Sequence, residues 1–140
     1  MLLLSIKPTE TSPCIMLDTD TNIFEISGSS RPENISAFYK PIINTIENYF
    51  QLMLQKKTAD EQVSFICNFK FNYFNSGTSH FIANLFQLFN MYAPYGIVSQ
   101  IFWYFDEEDM DMYEAGEELS FLTNLTSTRC NYLSSDFIRI

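Results

Sequence analysis

Two stretches of the chain carry side chains that could do chemistry. The first, Asn75-Ser76-Gly77-Thr78-Ser79-His80, sets three hydroxyls between a strand-like and a helix-like run. A hydroxyl there can attack a substrate or cap the helix. Attack requires a base, and His80, the only histidine, stands four residues after Ser76. No G-x-S-x-G elbow surrounds that serine, and no G-x-x-x-x-G-K-[ST] loop is present. Capping is open to Ser76, Thr78 or Ser79, and Gly77 allows a tight bend or close approach by another chain. One cap satisfies a helix, so the other hydroxyls are surplus to it. The first turn also presents unpaired N–H groups and the positive end of the helix dipole, which together receive an anion such as phosphate.

The second stretch, DEEDMDMYEAGEE from Asp106 to Glu118, holds eight carboxylates. Metal binding would call for D-x-D-x-D-G spacing, and acid/base catalysis for a second carboxylate cluster. Neither is found. A solvated helix face with acids at its N-terminus is the plain reading. Asp106, Glu107, Glu108 and Asp109 could also form a docking surface for basic groups on a partner. Cys14, Cys67 and Cys130 lie far apart with no C-x-x-C pair, so a zinc site has no ligand set. The reading therefore assigns no catalytic residue, no metal and no cofactor.

With 140 residues, 46% of them hydrophobic and 16% aromatic, the chain has room for one well-packed domain over residues 1–140. Its formal net charge of -9 argues against nucleic acid and anionic membranes as partners. The opening MLLLSIK is too short an apolar run for a signal peptide, and no segment reaches membrane-spanning length. A reduced, cytoplasmic protein is expected.

The periodicity predicts strands over 14–18 and 22–27 joined by the polar turn DTDTN, then a break from Gly28 to Pro32. A helix is expected from Pro41 to Lys56, with Asn34 or Ser36 capping a preceding turn, because proline suits an early helical position. From Val63 the alternation places Val63, Phe65, Cys67, Phe69, Phe71 and Tyr73 on one strand face. The next helix should run from about Ser79 to Tyr92 and end at Pro94 and Gly96. The run IVSQIFWYF, 97–105, suits a central strand covered on both faces. A last short strand is expected over 137–140. The order β-β-α-β-α-β-α predicts a small α/β sandwich, a mixed sheet with helices mainly on one side.

The strand–hydroxyl–helix corner resembles that of STAS-domain anti-sigma-factor antagonists. Three motifs in order, RPENISAFYKPI, FKFNYFNSGTS and IFWYFDEEDMDMYEAGEE, carry a closer resemblance, over about Pro13 to Glu118, to the SiaC family of bacterial regulatory phosphoproteins. The resemblance implies a STAS-like fold without enzymatic activity. It further implies a hydroxyl phosphorylated by a dedicated kinase and cleared by a PP2C-type phosphatase. The unphosphorylated form would bind an effector, a diguanylate cyclase in the characterised system, and activate it. The modified hydroxyl follows the motif's Asn, which places it on Ser76, with Thr78 as the alternate. Asn75, Gly77, Thr78, Ser79 and His80 would then face the partner, together with Asp106 to Asp109. The chain departs from the family pattern at Gly77, where another hydroxyl is usual, and at His80, where Lys is common. Other classes remain open: a STAS-type antagonist in a partner switch, a small hydrolase using Ser76 or the carboxylates, and a purely structural subunit.

Overall fold

Alternating polar and apolar residues over 63–71 produce the long central strand, and the other elements assemble around it. The computed structural model describes residues 1–125 and 129–134. In chain order they form β1 (Leu2–Ile6), β2 (Cys14–Asp18), β3 (Ile23–Ser30), α1 (Ile35–Lys56), β4 (Val63–Phe74), α2 (Ser76–Tyr92), β5 (Ile97–Phe105), α3 (Met110–Leu122) and β6 (Arg129–Ser134). A 3-10 turn, Ala93–Tyr95, follows α2 and closes on Gly96, whose φ of 93° is left-handed. The strands lie in one six-stranded sheet in sequential order, antiparallel from β1 to β3 and parallel from β3 to β6. The mixed α/β architecture expected from the sequence is present.

Parallel strands taken in sequential order, with crossovers of one hand, put every connecting helix on the same face of the sheet. Burial agrees. Phe24 and Ile26 of β3, Phe65, Cys67 and Phe69 of β4, and Ile97, Ile101 and Trp103 of β5 are all fully buried. Their alternate neighbours Glu25, Lys70, Gln100 and Tyr104 lie on the open face. There Lys70 pairs with Glu25 at 2.9 Å and lies 5.0 Å from the Tyr104 ring centroid. The expectation that β5 is covered on both faces is therefore corrected. Its apolar run includes Val98, Phe102 and Tyr104, which remain partly exposed because among the described residues no helix crosses to that side.

Four other expectations shift. β1 was not foreseen in MLLLSIK; it pairs as an edge strand with β2. β3 continues through Gly28 and Ser29 to Ser30, where the sequence suggested a break. α1 begins at Ile35, capped by Asn34, whose side chain accepts from the Ala37 N–H at 3.0 Å, so Pro41 lies inside the helix. The final strand is Arg129–Ser134, and the segment expected as a strand, 137–140, lies outside the described residues.

The β4 alternation breaks at one residue. Gly28 pairs with Phe71 and Ser29 with Tyr73, which leaves Asn72 as the extra residue of a β-bulge. After it the parity of the strand inverts. Tyr73, expected on the buried face, is 51% exposed. Phe74 instead turns inward, with its ring centroid 6.0 Å from Trp103 and 5.1 Å from Phe71.

Trp103 also anchors α3. Its indole Nε1–H donates to Met112 O at 2.9 Å, and a Cβ built on Gly116 would lie 2.7 Å from the ring. The Gly116→Ala variant gains helix propensity but forces a rigid, buried ring to move, and overpacking of this kind costs about 1–3 kcal/mol. The variant is expected to unfold at lower urea concentration than wild type with an altered Trp103 emission. An unchanged midpoint would mean that α3 is free to slide on the sheet.

Candidate regulatory corner

Parallel pairing brings the carboxyl ends of β3, β4 and β5 to one edge, with the N-termini of α1, α2 and α3 directly after them. In open α/β sheets this edge is where binding sites collect. The three sequence motifs converge here: Arg31–Ser36 after β3, Asn75–His80 after β4 and Asp106–Asp109 after β5.

α2 begins at Ser76, three residues before the expected start, and its cap is none of the three hydroxyls. Asn75 fills that role, its Oδ1 accepting from the Thr78 N–H at 2.9 Å. This is a correction to the capping assignment, and it frees Ser76. Ser79 also turns to the backbone, donating to Ser76 O at 2.7 Å.

Thr78 points into the protein. It is fully buried, with its Oγ1 3.1 Å from Ser30 O and 2.9 Å from Ser30 Oγ, while Ser30 Oγ lies 2.5 Å from the Tyr39 hydroxyl. The protons can be assigned by elimination. Thr78 donates to the Ser30 carbonyl, so Ser30 donates to Thr78, and Tyr39 donates to Ser30. The Asn75 N–H also reaches Ser30 O, at 3.2 Å. Burial pushes the Tyr39 hydroxyl up to about 12, so it stays a proton donor near neutral pH. Its ring stacks on Phe81 at 5.5 Å. Sequence reading offers Phe38 and Tyr39 as anchors for a partner; Tyr39 is instead fully buried, and Ser30 was missed. Tyr39 had a signal, since positions 39, 42, 46 and 50 form one helical stripe once the helix starts at Ile35.

The corner thus sorts its residues. Ser76 is exposed, at the first position of α2, and its hydroxyl has no hydrogen-bond partner among the described residues. Thr78, expected as alternate phosphosite and partner contact, is withdrawn from the surface by its place in the hydroxyl chain. Ser79 and Asn75 are half-buried and His80 is exposed beside Phe81, 5.4 Å between ring centroids. Gly77 lies against α1, where a Cβ would meet Ile35 Cδ1 at 2.4 Å. Ile35 thus fills the space that a side chain at position 77 would take.

Beside Ser76 runs an open groove of about 310 Å³ between Phe74, Ser76 and Ser79 on one side and Ala115, Glu118 and Leu122 of α3 on the other. Asp106, Glu107 and Glu108 are exposed on the neighbouring loop. Two of the four acids there also hold backbone. Asp106 Oδ1 accepts from the Glu108 N–H at 3.0 Å, and Asp109 caps α3 by accepting from the Met112 N–H at 3.2 Å. Among the described residues no group of three or more His, Cys, Asp or Glu side chains could hold a metal ion, and no helix is long and apolar enough to cross a membrane.

The model of a family described as SiaC family regulatory phosphoprotein matches residues 6–130. Among solved structures, apo-SiaC from Pseudomonas aeruginosa superposes with a TM-score of 0.73 at 18% identity, covering 93% of this chain and 97% of that one. The diguanylate cyclase SiaD of the same organism, in complex with its activator SiaC, provides a chain that matches with a TM-score of 0.74 at 19% identity, covering 94% and 98%. At such identities the superpositions establish the fold. No match is found among curated protein sequences.

Replacing Tyr39 by Phe removes one donor from the hydroxyl chain and should cost about 0.5–1.5 kcal/mol at neutral pH. The pH dependence follows from the raised pKa. Stability from a tyrosine held protonated is complete below pH 10.0 and is lost as pH rises towards about 12, because the unfolded chain ionises first. The wild-type advantage over Tyr39→Phe in urea unfolding is therefore expected to shrink above pH 10.0. A pH-independent difference would mean that Tyr39 is not held as a buried donor.

Proposed function

The chain belongs to the SiaC family of regulatory phosphoproteins, and on that premise we propose that it is a phosphorylation-controlled binding protein that performs no chemistry of its own. Unphosphorylated, it binds and activates an effector in the cytoplasm. The effector class best supported is a diguanylate cyclase, because the SiaC of Pseudomonas aeruginosa is an activator of the cyclase SiaD. A dedicated kinase releases the effector by modifying Ser76, and a PP2C-type phosphatase restores binding.

One observation carries the choice of residue. Of the corner's two candidate phosphosites, Ser76 is exposed at the positive end of α2 and unengaged among the described residues, whereas Thr78 is fully buried. A phosphoryl group adds about -1.5 to -2 charges at neutral pH. The α2 dipole favours it, since no acidic residue occupies that helix's first turn. An apposed protein surface packed against Ser76 does not, because the group adds bulk and a charge that close packing would strip of water. Asn75, Gly77, Ser79 and His80 form the rest of the contact.

Mass spectrometry of protein co-expressed with its cognate kinase is expected to place the phosphate on Ser76. The Ser76→Ala variant should resist phosphorylation, bind the effector constitutively and keep its stability within about 0.5 kcal/mol of wild type, because Asn75 retains the cap. Phosphate found only on Thr78 or Ser79 would move the switch to another residue.

The acidic loop yields a separate expectation. Changing Asp106, Glu107, Glu108 and Asp109 to the matching amides preserves both backbone-holding acceptors, so the fold should persist. Effector association should weaken much as it does at raised salt, because exposed charges act through screened attraction. Unchanged association at low salt would reduce the loop to a solvated turn.

A further inference from the structure

The groove beside Ser76 is walled on its far side by a helix with a narrow hold on the sheet. α3 buries only Met112, Gly116 and Leu119, whereas α2 buries seven residues. The end of α3 leaves two large apolar side chains exposed, Phe121 at 83% and Leu122 at 66%. Its only charged side chain in the groove is Glu118, and among the described residues no Lys, Arg or His lines that groove. Most of the remaining wall is apolar, from Phe74, Ala115, Leu119 and Leu122.

We infer that a phosphate on Ser76 acts inside the molecule as well as on its surface: it repels Glu118 across the groove and loosens α3 from Trp103. The inference rests on the reading that Ser76 is the modified residue. The two helices respond differently for an electrostatic reason. α2 receives the anion at its positive end, with free space around the Ser76 hydroxyl, and is stabilised by it. α3 meets the same anion with a carboxylate, and its other exposed acids, Asp111, Glu114 and Glu117, give it no cation to offset the repulsion. The less firmly held element therefore moves. Because Asp109 caps α3, the acidic loop that precedes the helix is disturbed with it. Modification would thus reshape the docking surface besides blocking it.

Trp103 reports on this movement, being the only tryptophan and the side chain to which α3 is docked. The test is to install phosphoserine at position 76 during translation, in wild-type and Glu118→Gln backgrounds. Trp103 emission and the hydrogen exchange of α3 amides are then measured, with α2 amides as the internal control. Phosphoserine is expected to move the emission to longer wavelength and to speed α3 exchange about two- to tenfold, a coupling ordinary for neighbouring groups. Exchange in α2 should not accelerate, and Glu118→Gln should remove most of both effects. Emission and exchange identical to the unmodified protein would overturn the inference, as would a change that Glu118→Gln leaves in place. Neither readout needs kinase or effector. A negative result leaves Ser76 standing as a surface switch, while native phosphate on another residue removes the switch reading without touching the coupling.

Discussion

A buried relay of three hydroxyls holds the corner on which the rest depends. Ser30 is its hub: the carbonyl accepts from Thr78 and from the Asn75 N–H, and the hydroxyl joins Thr78 to Tyr39. Each proton has one destination, so none of the three groups is left unpaired in the interior. Leaving one unpaired would cost about 1–3 kcal/mol, which makes partial formation of the relay unfavourable. The relay ties three elements distant in sequence: the end of β3, the second turn of α1 and the first turn of α2. With Thr78 fixed inward, the rotational phase of α2 is set, and Ser76 is left at the surface.

Around that fixed point the sheet distributes charge and exposure. All three helices start at one edge, so three positive helix ends face the same side as the acidic loop between β5 and α3. The start of α2 carries no acid and suits an anion, whereas α3 is acidic and suits a cationic partner. A single negative charge added at Ser76 therefore acts with opposite sign on two adjacent helices. The bulge at Asn72 contributes to the same arrangement, since it turns Phe74 inward against Trp103, immediately before the capping Asn75.

Much of this was legible as local pattern. The β4 alternation, the stripes of α1 and α2, the mixed sheet and the position of the hydroxyl corner all follow from spacing that the backbone geometry imposes. The misses have particular causes. The start of α1 was hidden by Pro41, because proline reads as a helix boundary although Asn34 had already capped the helix about two turns earlier. The start of α2 was displaced because Asn75 competes with three good capping hydroxyls of similar propensity. The bulge left no mark, since Asn72 fits the alternation that it interrupts. β5 appeared covered on both faces because an apolar run does not say on which side the crossovers pass.

By itself the sequence determined the elements from β2 to α3, their order and the chemistry of the corner, because each depends on neighbours within a few positions. It even held the inward turn of Thr78, which shares a stripe with Ile82, Leu85 and Phe89. Ser76 and Thr78 are two residues apart, about 200° around a helix, so one facing inward leaves the other facing out. What only the tertiary structure decided is what stands opposite Ser76. Glu118 is remote in sequence, and no periodicity relates the two positions. They line one groove because β4 and β5 pair in parallel with Phe69 beside Trp103, and because Trp103 then docks α3 through Met112 and Gly116. That register is a property of the assembled sheet, which strand and helix periods do not encode.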